Sequence, residues 1–287
     1  MEIMLRLGFA LSVFFIMISW EVVTPRRVLT LPRRNRWLIN LSLAGMNLLI
    51  MRLSVGGIAY LTAIMATEQH FGVFNQFTIP NWLAITLTLL FLDFAIYAQH
   101  VLAHKWLLLW RLHQVHHTDM DFDVTTGIRF HPIEILISMV IKFGVIAAPG
   151  VPALAVLLFE ILLNATSMFN HGNVRIPGRL DRWLRWIVVT PDMHRVHHSV
   201  ERGETNSNFG FNLPWWDRMF GTYRDQPLAG HNGIIIGIEQ FRDPAELRLD
   251  RMLLQPFRDP SGPHPFGGDD KSVEVRRGHP KPWGPRS

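Results

Sequence analysis

The chain has no cysteine in 287 residues. Disulfides, thiolate nucleophiles and cysteine-based metal sites are therefore excluded. Charge is scarce as well: 18% of residues are Asp, Glu, Lys or Arg, against roughly a quarter in soluble domains. No GxGxxG string announces a flavin or nicotinamide site, and no solenoid-type repeat is visible. The excess of 28 Lys and Arg over 23 Asp and Glu comes without a coherent basic helix or stacking platform, so nucleic acid is not the implied partner.

What is abundant is apolar sequence, 48% of the chain, gathered in long runs before residue 170. Leu5 to Val23 covers 19 residues, just enough to cross a hydrocarbon core of ~30 Å. It lacks the basic start and small-residue cleavage site of a secretory signal peptide and reads as a retained helix. Five arginines follow within eleven residues, at 26, 27, 33, 34 and 36. By the positive-inside rule that loop is cytoplasmic and the N-terminus lies outside. Trp37 to Ala66 is long enough for one tilted span. The stretch 67–80 has no Lys or Arg and suits an external loop, and Asn81 to Gln99 returns inside. Residues 135–169, broken by Pro149, Gly150 and Pro152, form a hairpin that either spans tightly or enters and leaves from the cytoplasmic face.

The expected fold is all-α: a bundle of four or five membrane helices with a helical cytoplasmic cap. Its parts are N-terminal membrane helices over 1–99, a histidine-bearing region over 100–227 that includes the hairpin, and a cap extension over 228–257. A tail over 258–287, rich in Pro, Gly and charge, is expected to be disordered.

Of 14 histidines, 10 fall between positions 100 and 198. Three strings hold most of them: His100-Val-Leu-Ala-His104, His113-Gln-Val-His116-His117 and His194-Arg-Val-His197-His198. Residues three and four apart share a helix face, so two rings one turn apart can grip one metal. Adjacent positions diverge by about 100°, so one string can serve two metals. A lone histidine at a membrane interface is ordinarily solvated; two HxxHH strings and one HxxxH on the same membrane face are a metal site. Eight imidazoles supply about four ligands for each of two metals. Imidazole suits zinc, copper, iron and nickel alike, and ligand type does not choose among them.

In this order the strings resemble the fatty acid hydroxylase superfamily, also called the sterol desaturase family, from about Leu89 to Pro227. The resemblance extends to His116-His117-Thr-Asp119, to Phe122-Asp123-Val-Thr-Thr-Gly-Ile-Arg129-Phe-His131-Pro-Ile-Glu134, to Phe169-Asn170-His171-Gly-Asn173, and to Asn208-Phe-Gly210 with Trp215-Trp-Asp217-Arg-Met-Phe220-Gly-Thr-Tyr223. It implies two iron ions that activate O2 as cosubstrate to hydroxylate, desaturate or cleave a lipid. The implied ligands are His100, His104, His113, His116, His117, His194, His197 and His198, with His171 as the ninth. The first box departs from the common His-Arg form by having Val101, and Ala98 and Gln99 stand where aromatic residues are usual. These differences leave the ligands in place and bear on the substrate pocket. Zinc readily replaces iron in isolated members, in keeping with its higher affinity for such ligands, but zinc has no redox chemistry.

Asp93, Tyr97, His100 and His104 share one helix face. Asp93 either orients a ligating ring or reaches headgroup water. Asp119, Asp121 and Asp123 either orient histidines, attract a cationic partner or are solvated. His131 is a metal ligand, a ligand's partner or a structural histidine beside Pro132. Glu160 and Asn164 face the site or pair with Lys142. Trp215, Trp216, Phe220 and Tyr223 either dock the cap on the bilayer or pack a core. His70, His231, His264 and His279 are bystanders. The expected activity is oxygenation of a bilayer lipid, sterol, fatty acyl or related, with electrons from an external donor such as a ferredoxin or a cytochrome b5-like protein with its reductase. A zinc-dependent hydrolase, a histidine-rich metal transporter and a non-catalytic member of the family are the alternatives. Missing organelle signals favour a bacterial inner membrane.

Overall fold

Prolines mark where several helices begin. A computed structural model describes residues 2–54 and 58–258. Its first ten helices are α1 (Glu2–Val23), α2 (Arg33–Ser54), α3 (Ile58–Glu68), the single turn α4 (Val73–Gln76), α5 (Asn81–Lys105), α6 (Leu107–His117), α7 (Pro132–Ala147), α8 (Ala153–Asn170), α9 (Gly178–Leu184) and α10 (Pro191–His197). Pro132 and Pro191 stand in the first turns of α7 and α10, where a missing N–H leaves no helical bond unmade. The side chains of His131 and Thr190 accept from the backbone N–H groups of Ile133 and Met193 at 3.2 and 3.3 Å, closing those helix starts. Among the described residues there is no strand, only isolated bridges such as Pro25 to Val174. The chain is all-helical, as expected.

Among the described residues, three helices are long and apolar enough to cross a membrane: α1 from Met4, α5 and α8, with 20, 25 and 18 residues. The chain is a membrane protein. The expected span over 37–66 corresponds to α2 and α3, with residues 55–57 outside the described ones. With 11 and 16 residues, α3 and α7 fall short of the ~20 that a perpendicular crossing needs. They pack against the long helices, α3 on α7 and α8, α1 along α8, and α5 against α6 and α8. Ala63, Leu92, Ile146, Val156 and Phe159 form the core where α3, α5, α7 and α8 meet.

The turn between α7 and α8 sits at the end of the bundle opposite the histidines. Phe74 donates its N–H to the Pro149 carbonyl at 2.9 Å. Gly150 there has φ +71°, and a Cβ on it would collide with the Phe71 carbonyl, so the close approach requires glycine. The hairpin thus reaches the 67–80 loop. Glu160 pairs with Lys142 at 3.2 Å and with Arg6, joining α7, α8 and α1 rather than facing the site.

At the other end the arginine loop between α1 and α2 is clasped to the cap. Arg36 is buried and donates to Asp119 at 2.7 and 2.8 Å and to Asp123 at 2.6 Å. Asp121 accepts from the Thr30 and Leu31 N–H groups, and Arg26 pairs with Asp192 at 3.1 Å. The acids at 119–123 are therefore neither solvated nor against histidines; they fasten a membrane hairpin to the cap. Of the tail expected over 258–287, all but Arg258 lies outside the described residues, as do His264 and His279.

Candidate metal centre

The histidines converge from four helices. His100 and His104 are one turn apart near the end of α5, which Trp106 terminates with an extended backbone. His113, His116 and His117 close α6, His171 caps α8, and α10 carries His194 and His197 with His198 as its cap. Their side chains form two groups in which the nearest ring nitrogens lie within 4.8 Å of one another. One group holds His100, His104, His113, His117 and His197; the other holds His116, His171, His194 and His198. All nine are buried. Each HxxHH string splits as its spacing predicts. Positions i and i+4 stay together and the odd member, His116 or His197, turns to the neighbouring group. The distribution is five and four rather than four and four.

Five of the nine outer ring nitrogens are held by main-chain carbonyls or a carboxylate. His100 Nδ1 meets the Phe209 carbonyl at 2.9 Å, His197 Nδ1 that of Ser207 at 2.8 Å, His171 Nδ1 that of Ser167 at 2.7 Å, and His116 Nδ1 that of Arg129 at 3.2 Å. His113 Nδ1 lies 2.6 Å from a Glu134 carboxylate oxygen. An Nδ1–H donated outward fixes the tautomer and leaves Nε2 with its lone pair facing inward. The Nε2 atoms of His100, His113 and His197 are buried with no hydrogen-bond partner. Those of His104 and His117 face each other at 3.2 Å, and His171 Nε2 lies 3.1–3.2 Å from the Nε2 atoms of His116, His194 and His198. Buried polar atoms are ordinarily paired. Convergent imidazole lone pairs with no proton donor among them fit metal cations.

Electrostatics agrees with that fit. Burial drives the rings of His116, His117, His194 and His198 well below the ordinary imidazole pKa, and their neighbours' charge adds to it. Burial lowers His171 to about 4 and His197 to about 3, against the carbonyls that hold their Nδ1 protons. The neutral form, which metals require, is the form the fold selects. For Asp119, burial pushes the carboxyl up, but the charge and hydrogen bonds of Arg36 outweigh it and hold the group well below the usual carboxylate range.

Other candidate residues lie elsewhere. His131 belongs to neither group; its Nδ1 caps α7 and its Nε2 lies 3.3 Å from the Leu253 carbonyl. Asp93 touches no histidine and is not in water. It is buried and accepts from Asn212 N–H and Nδ2, Leu213 N–H and Trp216 Nε1, at 2.8–3.2 Å. Tyr97, on the same face, stacks on Phe220 at 5.6 Å. His231 is buried, 3.6 Å from Asp192. The carboxylate that does reach a clustered ring, Glu134, was in view only as part of a stretch of resemblance. Its contact with His113 spans 21 residues, and nothing in local spacing marks it.

Residues 85–222 match the fatty acid hydroxylase family model. The chain is 34% identical over 156 residues to an ornithine lipid hydroxylase of Rhizobium tropici, covering 54% of this chain and 46% of that protein. It is 30% identical over 173 residues to an alkylglycerol monooxygenase of Xenopus tropicalis, 58% of this chain and 36% of the relative. It is 28% identical over 147 residues to a Δ7-sterol 5(6)-desaturase of Gibberella zeae, 50% and 43% respectively. The chain thus spans less than half the length of these relatives. No solved structure matches it significantly. Residues 85–222, the part of the chain similar to the fatty acid hydroxylase family, hold all nine clustered histidines.

Proposed function

We propose that the chain is a membrane-bound oxygenase that holds two irons in its two histidine groups and uses O2 to hydroxylate or desaturate a lipid C–H bond. The observation that carries this is the pair of adjoining, buried groups of five and four imidazoles, five of them with Nδ1 anchored outward. The relatives' chemistry, lipid hydroxylation and sterol desaturation by name, points the same way.

Iron bound there supplies O2 activation, which neither zinc nor the protein alone can provide. Hydroxylation consumes one O2, two electrons and two protons and releases one water; desaturation consumes the same and releases two. The electrons come from an external donor, a ferredoxin or a cytochrome b5-like protein with its reductase.

The residues' part is positioning and exclusion. Nine imidazoles converge, and the Nδ1 atoms of His100, His116, His171 and His197 are fixed by carbonyls and that of His113 by Glu134. Phe209 packs 5.1–5.5 Å from His100, His104 and His197, Phe130 stacks on His116 at 4.6 Å, and Phe122 lies 5.0 Å from His198. These rings keep water from the groups. α5 runs from the bilayer into the site, so an acyl or sterol chain has a route along its length. In this reading the arginine loop, the histidines and the cap are cytoplasmic, in a bacterial inner membrane.

The test is iron content and an iron-57 Mössbauer spectrum of detergent-purified protein, alongside His116→Ala and His197→Ala. About two irons per chain with coupled ferric signals, reduced in each variant, support the reading. Metal unaffected by either substitution, or two zincs that iron cannot displace, would overturn it.

A further inference from the structure

The segment just beyond α8 carries a surface that the proposed chemistry does not use. Arg179, Arg182 and Trp183 lie at helical spacing on α9, and Trp186 stands in the turn that follows it. They line a shallow cleft of about 280 Å³. Trp183 is 76% exposed, Trp186 58% and Ile187 67%. Both arginines are exposed, and among the described residues no carboxylate pairs with either; the nearby acid Asp181 is taken by Arg185 at 2.6 Å.

The fold fixes the level at which this face stands. Trp215 Nε1 donates to the Trp186 carbonyl at 2.7 Å, and the Arg218 guanidinium lies over the Trp186 ring at 4.1 Å. The next residue, Trp216, donates to Asp93 at 2.8 Å and packs on Phe94 at 5.1 Å. Asp93 lies midway along the membrane helix α5, seven residues before His100, which is about 10 Å of helix toward the bilayer. Met219 and Phe220, 69% and 55% exposed, continue the apolar surface from there. The tryptophans therefore stand beside the membrane helix α5, next to two guanidinium groups that no carboxylate pairs among the described residues.

We propose that residues 178–187, with 215–220, form an interfacial foot whose arginines bind the phosphate of an anionic phospholipid headgroup. Tryptophan prefers the headgroup level because its ring is apolar and its N–H polar. Arginine offers a planar fork that matches a phosphate, and positive charges beside an anionic leaflet are each favoured. The foot pulls the cap against the bilayer on one side of α5. It is a lipid contact separate from the metal groups.

The test uses full-length protein. Native mass spectrometry from detergent supplemented with phosphatidylglycerol or phosphatidylcholine reads the lipid retained. Wild type is expected to retain phosphatidylglycerol preferentially. Arg179→Gln with Arg182→Gln should weaken that by on the order of fivefold per arginine, Arg179→Lys with Arg182→Lys should keep most of it, and Arg251→Gln, elsewhere on the cap, should change nothing. In nanodiscs with brominated acyl chains, Trp183→Phe with Trp186→Phe should lower the quenched share of fluorescence. Equal retention of both lipids by wild type, undiminished retention by the double glutamine variant, or quenching unchanged by the double phenylalanine variant would each overturn the proposal. Iron content is read in the same samples, so loss of the oxygenase reading with lipid retention intact leaves this inference standing.

Discussion

Glu134 offers a way to weaken one histidine group and spare the other. Its carboxylate accepts from His113 Nδ1 at 2.6 Å, and His113 lies only in the group of five. A hydrogen bond to a charged acceptor contributes about 1.5–3 kcal/mol net and a neutral one about 0.5–1.5. Glu134→Gln keeps an oxygen acceptor and removes the charge, so it loses about 1 kcal/mol, or roughly fivefold in metal affinity at that group. Glu134→Ala loses about 2 kcal/mol, or roughly thirtyfold, within the 10- to 100-fold range usual for residues that orient a metal-bound imidazole. The assay is competition for iron or cobalt against a graded chelator, with the two sites resolved by Mössbauer or optical spectra. The expected order is wild type, glutamine, alanine at one site, with the second site unmoved. Equal weakening of both sites, or no weakening in the alanine variant, would refute the assignment of His113 and its orienting carboxylate.

Other expectations follow from the same contacts. Arg36→Leu strands Asp119 and Asp123 without their cation and should cost about 3–5 kcal/mol, read as a fall in melting temperature in detergent; adding Asp119→Asn and Asp123→Asn should recover part of it. His131→Ala removes only a helix cap, so stability should fall by about 1 kcal/mol while iron per chain stays the same; a loss of iron would make it a ligand after all. Asp93→Ala releases four donors on 212–216 and should loosen that segment, seen as faster amide exchange there, with metal content kept. Gly150→Ala places a Cβ against the Phe71 carbonyl in a left-handed backbone and should destabilise by more than 1 kcal/mol, measured by thermal denaturation.

The histidine strings were legible because helical periodicity is a local rule: i and i+4 point one way, and the partition of His116 from His117 follows from 100° per residue. The long apolar helices were legible for the same reason. What escaped were contacts across distance. The anchors of His100, His197 and His171 are main-chain carbonyls of Phe209, Ser207 and Ser167, and every residue type carries a carbonyl. For the acids at 119–123 water, histidine and a cationic partner all stood open, because the cation, Arg36, lies more than 80 residues from Asp119 and Asp123.

That same Arg36 has two employments, separated in time. In the topology proposed above, the cluster from Arg26 to Arg36 keeps the loop on the cytoplasmic side as the chain is made and so sets which way the first helices insert. Its eventual partners at 119, 121 and 123 do not yet exist as chain at that moment, and the loop waits with its charge open to water. Only when α5 has crossed and α6 has emerged can the acids arrive and take the guanidinium out of solvent. Insertion thus has to precede the closing of the cap. In the proposed topology, a chain in which one of the intervening crossings failed would leave those charges on opposite sides of the bilayer, where the clasp could not form, so the cap closes only on a correctly threaded chain.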